Sequence, residues 1–223
     1  MKKNIFNRIL SMALALALCL PFCIPVSAEY NNTVSKDTHF EGNRIEVLLG
    51  KVSQDTIDTL QNAVLAYTTD EYGNEVPVQA SVSISKMPML RASSNMCAEK
   101  IYLVTVAASV QKEKEGNGHH KDKLCDCTGR ITMTWTDGPG GHNTIDYLSG
   151  NVSFEKGEFY SATVFWGASH NAYGQKSKDV STAFSFAPDP VYENNTLHAH
   201  YKIWAKDGNF SKLVLTVCAA PLY

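Results

Sequence analysis

The chain has 223 residues, 20 of them basic and 22 acidic, for a formal charge of −2, with 44% hydrophobic residues and six cysteines. Its first 28 residues are ordered as a secretory signal peptide; their removal leaves 195 residues, takes away Lys2, Lys3 and Arg8 but no acidic residue, and moves the charge to −5. That balance argues against a nucleic-acid binder, a transmembrane protein and a cytosolic enzyme.

In residues 1–28 a basic start leads into the apolar run Leu10–Leu20, and Val26-Ser27-Ala28 precedes Glu29. Cleavage is expected near Ala28 and the mature protein is expected to be extracellular. The Lys-Lys start and the Ala-Leu-rich core fit a bacterial exporter. Cys19 and Cys23 leave with the signal, so four cysteines remain. Residues 29–44 are polar, lack an apolar period and read as a flexible lead-in. Residues 45–96 read as a small α/β lobe or an extension packed on the C-terminal domain. After the apolar patch Ile45–Leu49, Ser53 can cap a helix, and Ile57, Leu60, Ala63 and Val64 share one helical face. This predicts a helix near 54–66. Asp70-Glu71-Tyr72-Gly73-Asn74 is a turn cluster. Val78, Ala80, Val82 and Ile84 then alternate with polar residues, which predicts a strand near 77–85.

From residue 97 to 223 the pattern is strand after strand. Tyr102, Val104, Val106, Ala108 and Val110 line one face; Ile131, Met133 and Trp135 line the next; Ile145 and Tyr147 share a face until Ser149-Gly150, where the parity of Val152 and Phe154 predicts a bulge. Tyr160–Trp166, Val180–Phe186, Leu197–Ala205 and Ser211–Val217 complete seven strands, the last two joined through Asp207-Gly208-Asn209. The expected class is all-β with a small α/β N-terminal part: an antiparallel immunoglobulin-like β-sandwich, with a jelly roll as the alternative.

Four cysteines outside the cell point to disulfides. If seven strands alternate strictly in direction, Cys218 ends beside Cys125 and Cys127, and a Cys218 bridge to one of them is expected. Cys97 then lies about ten strand residues away, roughly 30 Å, beyond the reach of a disulfide.

Two groups of side chains are candidates for chemistry. His119, His120, Cys125 and Cys127 fall close enough in sequence to form a zinc set, although their spacing matches no standard zinc module. His198 and His200 share one strand face with Lys202 and Trp204, while Leu197, Ala199, Tyr201 and Ile203 take the other. Trp166 stands before the uncharged loop that holds His170, Asn171 and Tyr173, where rings and amides are placed to meet a sugar. No nucleophile elbow and no phosphate-binding glycine loop occurs. The leading expectation is a secreted bacterial β-sandwich with a non-catalytic role in binding a protein or glycan surface and no cofactor. The candidate binding residues are Trp166, His170, Asn171, Tyr173, His198, His200 and Trp204. A small secreted zinc protein and a secreted toxin or bacteriocin-like effector are the alternatives.

Overall fold

Period-two burial builds nearly every element in the computed structural model, which describes residues 40–70, 72–88, 100–115, 121–137, 143–168, 176–189, 197–207 and 210–219. In chain order these are β1 (Arg44–Leu49), α1 (Gln54–Asn62), β2 (Ala66–Thr69), β3 (Glu75–Pro77), β4 (Ser81–Pro88), β5 (Lys100–Glu115), β6 (Lys121–Asp137), β7 (Asn143–Lys156), β8 (Glu158–Ala168), β9 (Lys176–Val180), β10 (Ala183–Phe186), β11 (Leu197–Asp207) and β12 (Phe210–Ala219). Sheet A has the order β1-β4-β5-β6-β7-β10, and sheet B the order β3-β2-β12-β11-β8-β9. The described residues are thus mostly β, in two six-stranded sheets. Among them all strand pairs are antiparallel except β1 with β4, which corrects the purely antiparallel expectation.

The two sheets face each other across one apolar core. Val104, Val106, Ile131, Met133 and Trp135 of sheet A are buried, as are Val164, Tyr201, Ile203, Leu215 and Val217 of sheet B. Trp135 stacks on its cross-strand partner Tyr102 at 4.5 Å between ring centroids, and Phe184 of sheet A meets Tyr201 of sheet B edge to face at 5.0 Å. Gly129 lets side chains of sheet B come close to the β6 backbone: a Cβ there would stand 2.7 Å from Ile203 and 2.9 Å from Leu215.

Residues 44–88 supply strands to both sheets, and the polar lead-in ends in a buried residue, Asn43. Ser53 caps α1 as expected, its Oγ accepting from the Thr56 amide at 3.3 Å. The helix stops at Asn62, short of the expected 66. The carbonyl of Leu65 accepts from the Cys218 amide, and Tyr67 pairs with Thr216, so β2 joins sheet B instead of continuing the helix. Val64, expected on the buried helical face, is therefore exposed. Residues 78–84 alternate as expected, but as a crossing from β3 in sheet B to β4 in sheet A.

The parity slip in β7 lies at Asp146, between the pairs Thr134–Tyr147 and Trp135–Ile145, and not at Gly150. Tyr147 consequently faces outward and bonds Ser185. Gly150 is in regular register; its missing side chain leaves room for the Phe184 ring, which a Cβ would meet at 2.6 Å.

Strict alternation of strand direction also fails. The stretch Val180–Phe186, read as one strand, is two: β9 pairs in sheet B and β10 in sheet A. Both β9 and β11 run antiparallel to β8, so they share a direction, and β12 runs like β8. Gly129 lies against Leu215 and Val217. Lys112, the partner of Cys125, donates to the Thr69 carbonyl, and Thr69 Oγ1 in turn bonds the Leu213 carbonyl. Cys125 thus sits near the start of β12, whereas Cys218 closes its far end.

Candidate functional site

Core packing on β11 decides what its other face offers. Leu197, Ala199, Tyr201 and Ile203 are buried between the sheets, which turns His198, His200, Lys202 and Trp204 to the outer face of sheet B, as alternation predicts. Cross-strand register sets their neighbours. His200 lies between Phe165 of β8 and Cys218 of β12; Lys202 lies between Thr163 and Thr216, and Thr216 next meets Tyr67 of β2. Trp204 stands between Ser161 and Leu213, beside the bulged and exposed Tyr160.

Contacts within this face are specific. His200 Nδ1 lies 3.3 Å from Cys218 Sγ, and the His198 and His200 rings meet edge to face at 4.8 Å. Lys202 Nζ sits over the Phe165 ring at 5.4 Å, and Lys206 Nζ over Tyr160 at 5.9 Å. Thr163 donates to Asp179 of the edge strand at 2.7 Å. Thr216 is wholly buried between Lys202 of β11 and Tyr67 of β2.

The face is less wet than an ordinary outer surface. Burial holds the His200 imidazole down to about 4, with the charges of His198 and Lys202 acting in the same direction, so the ring is neutral at pH 7. Burial likewise pushes the Cys218 thiol up to about 12, and Glu75 adds to the shift. The Tyr67 phenol rises to about 12, again chiefly through burial, with Cys218 and Glu75 contributing. His200 and Cys218 therefore meet as neutral imidazole and neutral thiol, not as the ion pair of an activated nucleophile.

Other expected site residues fall elsewhere. Trp166 points inward, 5% exposed, against Phe186 at 5.4 Å; the inner parity of β8 makes it a core residue, which corrects its assignment to a binding surface. Cys125 and Cys127 are buried on the inner face of β6, on a strand and not in a loop. Cys125, Cys127 and Cys218 carry no disulfide. The expected bridge from Cys218 is corrected on two grounds: β12 runs the other way, and Cys218 takes the outer parity, with the body of sheet B between it and the inward thiols. His119, His120, His170, Asn171, Tyr173 and Cys97 lie outside the described residues. Among the described residues, no three His, Cys, Asp or Glu side chains are grouped to hold a metal ion, and no helix is long and apolar enough to cross a membrane.

Sequence reasoning found the β11 row but missed Tyr67, Phe165, Tyr160, Thr216 and Cys218 as its neighbours. The outer parity of Thr216 and Cys218 was readable from Leu215 and Val217. Tyr67 fell between the expected helix and the turn cluster, in a stretch where no strand was expected. Compared with known protein families, curated proteins and solved structures, the chain matches none.

Proposed function

We propose that this is an exported bacterial β-sandwich protein that binds a glycan or protein surface without catalysing a reaction, and that the outer face of sheet B is the binding face. One observation carries this reading: Trp204, half-buried on β11, shares a face with His198, His200 and Lys202 and stands beside the exposed Tyr160. Aromatic faces bordered by imidazole, ammonium and hydroxyl groups suit a sugar ring, which offers apolar C–H patches and directional hydroxyls. Export rests on the signal-like first 28 residues and takes the mature protein outside the cell.

The sandwich is best described by its own strand order. Four consecutive strands, β4 to β7, meander within one sheet, whereas an immunoglobulin-like order divides its second and third strands between sheets. The zinc alternative has less support, because Cys125 and Cys127 face the core. A glycan array tests the proposal. Binding is expected for the wild type, with a loss of at least about tenfold for Trp204→Ala, the equivalent of one ~1.4 kcal/mol contact. Hits that keep full affinity in that variant would remove Trp204 as the anchor.

A further inference from the structure

The chain as a whole is slightly acidic, with 20 basic against 22 acidic residues, yet the middle of the sheet B outer face carries a cation. Lys202 is half-buried there, between His200 and Trp204 along β11 and between Thr163 and Thr216 across the strands. None of these four neighbours is acidic. Its Nζ sits 5.4 Å from the centre of the Phe165 ring, which fixes the ammonium in place without neutralising it. Among the described residues no carboxylate lies within ion-pair distance of it. The acids that border the face are set apart. Asp179 is on β9, with β8 in between, and accepts from Thr163. Glu75 is on β3, with β12 and β2 in between. Lys206, the next outward cation on β11, lies over Tyr160 and has Glu158 directly opposite on β8. Lys206 thus has a counter-charge across its strand pair and Lys202 has none.

Resting on the reading of this face as the binding surface, we propose that its ligand is an acidic glycan whose sugar ring carries a carboxylate, a uronate, with the ring against Trp204 and the carboxylate on Lys202. Same-face residues two apart on a strand stand about 6.6 Å apart at Cα, on the scale of one sugar ring with its exocyclic carboxylate. A single ammonium matches a single negative charge. A phosphate brings close to two, and the second would be uncompensated at a half-buried face. An acidic peptide supplies the charge but not the C–H ring face that Trp204 and the exposed Tyr160 suit. The acidic chain gives no long-range steering of an anion, so the attraction is local to Lys202 and sensitive to salt.

The test titrates the full chain with short uronate oligosaccharides from galacturonan, glucuronan and alginate. Each is paired with its carboxyl-reduced, neutral counterpart, and oligoglutamate supplies carboxylates without a ring. At low salt a uronate oligomer is expected to bind at least about fivefold more tightly than its reduced form and than oligoglutamate. That preference is expected to shrink toward about twofold in about 0.5 M NaCl. Lys202→Met is expected to bring the two sugar forms to within about twofold of each other, while Lys202→Arg keeps the preference. Equal or tighter binding of the reduced forms overturns the selection by charge and leaves the sheet B face in place. Uronate binding that Trp204→Ala leaves unchanged overturns the face as well. Oligoglutamate bound as tightly as any uronate, or no oligosaccharide bound at all, overturns the glycan as ligand. The wild-type comparison stands whether or not the variants fold.

Discussion

At the scale of single residues, His200 is where burial and chemistry oppose each other. Its imidazole titrates near 4 in the fold against 6.5 when exposed, so the unfolded chain binds the extra proton first as pH falls. Stability from the neutral ring is complete above pH 6.5 and is lost as pH drops toward 4. The titratable and charged groups around it are His198 and Lys202 on its own strand, with Cys218 on β12, and Tyr67 and Glu75 beyond it. The loss amounts to about 2–3 kcal/mol at most. Urea denaturation at pH 7 and pH 4.5 checks this: the wild type should lose stability between the two, and His200→Gln should lose distinctly less. Equal losses in both would show that other groups set the acid response.

At the scale of elements, one side chain that the polar lead-in concealed helps to tie α1 to sheet A. Asn43 donates to the carbonyls of Leu60 at 2.6 Å and Ala63 at 2.7 Å, and its oxygen accepts from the Ala80 amide at 3.1 Å. It satisfies the end of the helix and fastens it beside β4. Asn43→Ala leaves three backbone groups without their partner, and a cost of about 3 kcal/mol is expected in the denaturation midpoint. A change below about 0.5 kcal/mol, the range of an ordinary surface substitution, would contradict this role. Nothing in the composition of residues 29–44 marks Asn43, because its importance comes from contacts 17 to 37 residues away. The capping Ser53 and the Asp70–Asn74 turn were legible, since each acts on neighbours within four residues. Strand parity was legible wherever one face is core. It misled at Asp146, where the bulge is visible only in the partner strand, and at Val180–Phe186, where a change of sheet leaves no mark on alternation.

At the scale of the whole molecule, the two outer faces differ in what they offer. Across sheet A, Ser83, Thr105, Thr132, Ser149 and Ser185 are successive cross-strand partners, a row of small hydroxyls in which Thr105 and Thr132 bond each other at 2.9 Å. Across sheet B, rings, an imidazole pair and two ammonium groups over aromatic faces share the surface. The β11 half of that arrangement was readable from its sequence period. The β2, β8 and β12 half depends on strand order, which no local pattern encodes.

The most direct measurement compares one substitution on each face, Trp204→Ala on sheet B and Thr132→Ala on sheet A, in binding titrations against a ligand recovered by the wild type. Affinity should fall by at least about tenfold for Trp204→Ala and stay within about twofold for Thr132→Ala. The reverse pattern, with both variants folded, would contradict the placement of the binding face on sheet B.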